Sequence, residues 1–244
     1  MKNSIAILTT LVFALSFAAC ASDDDSDKPS STGKTKIGYM IDNFTIDPAD
    51  PLCDIIDGNA GENVGSWFTW IDEDAAGTSI SPAPEADQFC DATKKDGGAV
   101  DGGAYLSVSG KSGGHGVGIG AYFNFSGTKM DPVDFSEFDG LTFWAKGTAN
   151  ITVQLNMPAF MPIDLGGECP ESDGNCYNYY SVNVKVDSKD WQEYSFAWSK
   201  FTQEDWGASN VKLDPKLIAS FHFMFPSTNK DFAVDLDEIA FYTK

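Results

Sequence analysis

The feature that most constrains this chain is a period-two alternation of apolar and polar residues that recurs from Ile37 to the C terminus. Successive side chains of a strand point to opposite faces, so such alternation marks half-buried β-strands. It is readable in IGYMIDNF, SWFTWID, AYLSVSG, GVGIGAYFNF, LTFWAKG, NITVQLNM, YYSVNVKV, WQEYSFAW, SFHFMFPS and FAVDLDEIAFY. No helical pattern of similar length competes, and WSKFTQEDWG and DPKLIA read only as short helical turns. About ten strands separated by Gly, Pro and Asp turns predict an all-β domain, a β-sandwich jelly roll, over residues 37–244.

The same parity sorts side chains into faces. Val117, Ile119, Ala121, Phe123 and Phe125 share one face of their strand, leaving Gly116, Gly118, Gly120, Tyr122 and Asn124 on the other. Ile151, Val153, Leu155 and Met157 point inward, with Thr152, Gln154 and Asn156 outward. In LTFWAKG the outward set is Thr142, Trp144 and Lys146. These outward faces mix amides, hydroxyls, aromatic rings and bare glycine, unlike an ordinary Lys/Glu-coated sheet. Glycine weakens a strand, so its recurrence needs a reason. Either the glycines clear room for a ligand, or a ring, loop or helix covers them.

The chain ahead of the domain reads differently. Lys2, an apolar run from Ile5 to Ala19 and the ending FAAC have the layout of a secretory signal peptide. The ending resembles the lipobox of bacterial lipoproteins, with Phe17 where Leu is usual, and predicts lipidation at Cys20 after removal of residues 1–19. Ala21 then points to the outer membrane or cell surface, held through the lipid anchor alone. Residues 20–36, ASDDDSDKPSSTGKTK after the cysteine, contain no large apolar residue and read as a disordered acidic tether.

Charge narrows the partners. The net charge is −20, with 36 acids against 16 lysines and no arginine. Nucleic acid and anionic lipid surfaces are repelled. Without a guanidinium fork, tight phosphate or carboxylate recognition is disfavoured too. Neutral or cationic ligands remain.

Cysteine usage fits export. Apart from Cys20, four remain, and proximity in sequence favours Cys53–Cys90 and Cys169–Cys176 as two disulfides. On the loop-entropy model they contribute about 4 and about 2.5 kcal/mol. GKS at Gly110–Ser112 resembles the end of a phosphate loop, but Tyr105 stands where glycine is needed and a strand follows. No zinc spacing surrounds Cys169 and Cys176, and the histidines are only His115 and His222. Glycoside hydrolysis would need two carboxylates flanking a sugar. Asp72, Glu73 and Asp74, or Glu204 and Asp205, are candidates, and both clusters also read as solvated turns.

Several of these stretches together resemble the galactose-binding-type jelly roll of carbohydrate-binding modules, particularly family 11: IDNF opening the domain, GSWFTWIDED, LTFWAKG, WQEYSFAWSKFTQEDWG and the closing DLDEIAFY. They are similar also to a domain associated with respiratory complex assembly, which shares the opening and the tryptophan-rich second strand. The family 11 resemblance implies a non-catalytic cleft for a polysaccharide or oligosaccharide, and structural calcium near the chain ends. Asp42 and Asp237 match the acids expected there. Such clefts usually include an arginine, which this chain lacks.

Aromatic faces suit the apolar faces of sugar rings, and amides suit hydroxyls. The outward residues Trp70, Tyr122, Trp144, Gln154, Asn156, Tyr179 and His222 are therefore the expected sugar contacts. Tyr179 shares the register of Ser181 and Asn183, whereas Tyr180 follows Val182 and Val184 inward. The expected function is surface-anchored carbohydrate binding without chemistry. The competing readings are a glycoside-active enzyme and a structural or assembly lipoprotein that binds protein.

Overall fold

The computed structural model describes residues 35–45, 55–57, 63–71, 77–83, 88–113, 116–126, 129–170, 176–208, 211–226 and 231–244. Residues 1–34, with Cys20, and Cys53 lie outside them, as do Asp72, Glu73, Asp74 and His115. Among the described residues no helix is long and apolar enough to cross a membrane.

The strands in chain order are β1 (Lys36–Asp42), β2 (Ile55–Asp57), β3 (Asn63–Ile71), β4 (Ser79–Ser81), β5 (Thr93–Lys94), β6 (Tyr105–Lys111) and β7 (Val117–Tyr122). After the two-residue strands β8 (Phe125–Ser126) and β9 (Lys129–Met130) come β10 (Gly140–Asn156), β11 (Tyr180–Ala197), β12 (Ser220–Phe225) and β13 (Phe232–Thr243). One short helix, α1 (Gln88–Ala92), carries Cys90.

β10 and β11 organise the fold. Sequence parity suggests two short strands in each of these regions, yet each runs unbroken and they pair with each other from Gly140↔Ala197 to Leu155↔Tyr180. The first half of β10 pairs with β13, and its last five residues pair with β12. The hairpin therefore passes from one layer of a sandwich into the other. A register shift sits at Ala145/Gly147. Gly147 has φ +126°, and a Cβ there would run into the carbonyl of Ala233. Only glycine fits that crossing point.

Two layers result. The front sheet runs β2–β3–β7–β12, then the second half of β10 and the first half of β11. In the back sheet, β13 pairs on one side with the first half of β10 and on the other with β1 and β6 in turn, and β4 and β5 flank β6. All these pairings are antiparallel, as a jelly roll requires.

Inward residues from both layers form one core. Phe143 of the back sheet meets Phe223 of the front sheet at 5.0 Å between centroids, and Phe123 meets Phe241 at 5.7 Å. Trp67 is buried against Phe221, and its Nε1–H donates to Asp42 Oδ2 at 2.6 Å. A satellite cluster of Met157, Phe160, Met161, Tyr179 and Ala219 fills one end.

Of the expected disulfides, Cys169–Cys176 is present, with its Cα atoms 5.6 Å apart. Cys90 is also disulfide-bonded, while Cys53, its expected partner, lies outside the described residues. WSKFTQEDWG contributes a single 3₁₀ turn at Trp198–Lys200, and DPKLIA another at Pro215–Leu217, where Asp214 caps Lys216 N–H.

Candidate carbohydrate-binding face

The outward face of the front sheet can be written as three rows across its strands. Following the register, Asn183, Thr152, Met224, Gly118 and Trp70 form the first row. Ser181, Gln154, His222, Gly120 and Phe68 form the second. Asn156, Ser220, Tyr122 and Ser66 form the third, and Tyr179 continues it at the end of β11. These rows contain no Asp, Glu, Lys or Arg, although the chain carries a net charge of −20.

The glycines are covered by aromatic rings lying on the sheet. A Cβ at Gly118 would stand 2.8 Å from Trp70 Cε2 and Cζ2. At Gly120 it would stand 2.5 Å from the His222 ring and 2.7 Å from Phe68. Of the two readings open at the sequence level, the cover is therefore a ring. Gly118 and Gly120 leave room on β7 for these rings, which meet edge to face at Phe68 and His222, and Phe68, Trp70 and Tyr122 remain partly exposed. Phe68 and Tyr122 are stacked, with centroids 6.2 Å apart.

The centre of the face is a polar network. Asn156 Nδ2 donates to Ser220 Oγ at 2.7 Å and lies within hydrogen-bond distance of His222 Nε2 at 3.0 Å. Burial pushes the His222 pKa down to about 3, so the ring is neutral at physiological pH. Thr152 donates to Asn183 Oδ1 at 2.8 Å. Asn156 Oδ1 and Trp70 Nε1 are buried and have no hydrogen-bond partner among the described residues. The Gln154 side chain is half-buried at the middle of its row.

Trp70, Tyr122, Gln154, Asn156 and His222 are thus brought together. Asn156 and His222 are only 2% and 8% exposed and belong to the floor. Tyr179 has the outward register, but the satellite cluster covers it to 8% exposure and burial raises its pKa. The exposed tyrosine of that trio is Tyr177, at 45%. Tyr180 is half-buried and packs against the core, in line with its parity.

Trp144 does not join this face. It sits on the first half of β10, opposite Asp237 and Glu193, on the outer side of the back sheet. Parity alone placed it outward, and the passage of β10 between layers decided which outside. Phe68, Met224, Ser220 and Asn183 are front-face members that the sequence reading did not single out. Their signal was available, since Phe68 shares the parity of Trp70, and Met224 and Ser220 that of His222.

The two acids expected to share calcium have separate partners. β1 and β13 do run side by side, with Asp42 opposite Ile239. Asp42 accepts from Trp67 Nε1 and from Phe44 N–H, both at 2.6 Å. Asp237 instead accepts from Ala99 N–H at 2.6 Å and Glu238 N–H at 2.8 Å. Glu238 has φ +48°, a kink that separates Asp237 from the register of Ile239. Burial raises the Asp237 pKa to about 6. These residues do not fit one ion bridging both acids, and among the described residues no cluster of three His, Cys, Asp or Glu is suited to hold a metal.

The architecture recurs in solved structures. The family 11 carbohydrate-binding module of cellulosomal cellulase Lic26A-Cel5E of Clostridium thermocellum is 18% identical, with a TM-score of 0.51 over 86% of this chain and 97% of that one. A family 11 module from the same organism in complex with a β-1,3-1,4-mixed-linked tetrasaccharide is 16% identical, with a TM-score of 0.50 over 86% of this chain and 98% of that one. No protein-family model matches the sequence, and no curated protein does. At this identity the likeness concerns the fold, and the chain has the β-sandwich architecture of these modules.

Proposed function

We propose that the front face binds a neutral polysaccharide without chemistry, and that lipidation at Cys20 holds the domain at a bacterial outer membrane or cell surface. One observation carries the binding proposal: in a strongly acidic chain, three sheet rows are free of charge and combine partly exposed rings with amides and hydroxyls. A sugar ring offers an apolar face to Trp70, Phe68 or Tyr122 and hydroxyls to Gln154 and Asn183. Asn156, Ser220 and His222 lie below and fix the platform. The shared fold supports a binding module, and the rows contain no carboxylate pair for glycoside hydrolysis.

Affinity electrophoresis tests this directly. Neutral β-linked polysaccharides in the gel retard the wild type, while uronate polymers do not, since their charge is repelled. Tyr122→Ala with Gln154→Ala abolishes retardation. Retardation that survives this double substitution overturns the assignment of the face. Release of reducing sugar that disappears with one carboxylate substitution would make the protein an enzyme. For the anchor, Cys20→Ser releases the protein from the membrane fraction; continued membrane association contradicts lipidation there.

A further inference from the structure

Among the described residues, Tyr177 and Trp206 are the aromatic members of the exposed large hydrophobic side chains, at 45% and 46%. They lie at the same edge of the front sheet. Beyond β11 the chain returns alongside it, and Ser181 and Thr202 exchange backbone hydrogen bonds at 2.8 and 2.9 Å. Asn178, the neighbour of Tyr177 in sequence, bonds to the Trp206 carbonyl, so the two segments adjoin there. The Asn178 amide sits inside the returning loop and donates to the carbonyls of Glu204, Trp206 and Ala208. Gln203 Nε2 in turn donates to Asn178 O at 2.6 Å.

Both residues are held in place. Tyr177 follows Cys176 of the disulfide, has a left-handed φ of +70° and donates its N–H to Phe160 O at 2.9 Å. A left-handed non-glycine backbone is costly and persists only where the surroundings impose it. Trp206 Nε1–H donates to Glu204 Oε2 at 2.7 Å. Rings fixed in advance lose little entropy when they stack on a ligand. A run of ring contacts joins Tyr177 to the cleft: it lies 6.0 Å from Tyr179, which lies 5.8 Å from His222.

We propose that Tyr177 and Trp206 form an additional sugar subsite beyond the β11 edge, taking the end of a glycan that runs across the strands of the front sheet. The inference rests on the reading of that face as the sugar site. Strands lie about 4.8 Å apart, comparable with one pyranose in an extended β-linked chain, so β3 to β11 accommodates about four units. The rings then occupy both ends of the path, with amides between them. Specificity for chain length follows, because only longer oligosaccharides reach the outer pair.

The test is calorimetry with β-1,3-1,4-mixed-linked oligosaccharides of increasing length. Wild-type affinity rises about tenfold once the chain exceeds about four units. Tyr177→Ala with Trp206→Ala removes that rise and leaves tetrasaccharide affinity unchanged, whereas Tyr177→Phe with Trp206→Phe retains it. Melting curves of each variant control for folding. A rise that survives the alanine pair overturns the subsite and leaves the cleft standing. An equal loss for short and long chains assigns the pair a structural role instead. A wild type that binds none of these sugars removes the subsite, and the cleft reading falls too if no other neutral polysaccharide is bound.

Discussion

The two outer faces of the sandwich arise from the same strand alternation and end in opposite conditions. On the back sheet Tyr105 and Trp191 are used by the protein itself. Lys146 Nζ lies 4.4 Å from the Trp191 ring centroid, 4.8 Å from that of Tyr105 and 3.6 Å from Asp235. Trp191 Nε1–H donates to Gly97 O at 3.0 Å. On the front sheet, charge is missing from the rows, rings lie over glycine, and Trp70 Nε1 has no partner among the described residues. Exposure of aromatics therefore does not distinguish a binding face. The two faces differ in that a lysine and a carbonyl of the same chain already engage the Tyr105 and Trp191 rings of the back sheet.

The two faces should titrate with opposite sign. The His222 pKa is depressed to about 3 in the folded protein, so between the unfolded value of 6.5 and about 3 the unfolded chain binds more protons. Stability is lost as pH falls through that window. The Asp237 pKa is raised from 3.8 to about 6, so the folded protein holds more protons there and stability falls as pH rises from about 4 to 6. The melting-temperature difference His222→Gln minus wild type should grow as pH falls from 7 to 4. For Asp237→Asn minus wild type it should grow as pH rises over the same range. The effects amount to a few kcal/mol at most. Slopes of the same sign would erase the contrast.

The glycine floor gives the next effect. Gly120→Val places methyl groups where a Cβ alone would meet His222 at 2.5 Å and Phe68 at 2.7 Å. Overpacking costs about 1–3 kcal/mol, read from denaturant unfolding, and displaces the two rings. A neutral substitution would mean that the rings are not seated on the sheet. Smaller still, Lys146→Ala on the back face removes two cation–π contacts and an ion pair that is only partly buried, lowering stability by about 1 kcal/mol. It should leave glycan binding unchanged.

Alternation made the core and most outward residues legible in the sequence. Val117, Ile119, Val153 and Leu155 are buried as their parity requires, and Gln154 and Tyr122 face outward as expected. Assignment to a particular face was not legible, because β10 and β11 each pass through both layers and parity has no memory of layer. Trp144 and Gln154 share one strand and occupy opposite outsides of the molecule. Tyr179 has outward parity, yet Met157, Phe160 and Met161 fold over it after the strand ends. The separate partners of Asp42 and Asp237 depend on the kink at Glu238, for which the alternation contains no signal.

The central claim is that only the front face binds glycan. The direct measurement is the affinity of two double variants, one per face, for a single neutral β-linked polysaccharide. Trp70→Ala with Gln154→Ala should weaken binding at least about tenfold, or about 1.4 kcal/mol. Trp144→Ala with Trp191→Ala should bind as the wild type does. Equal losses in the two variants, or loss only in the back-face pair, would contradict the account.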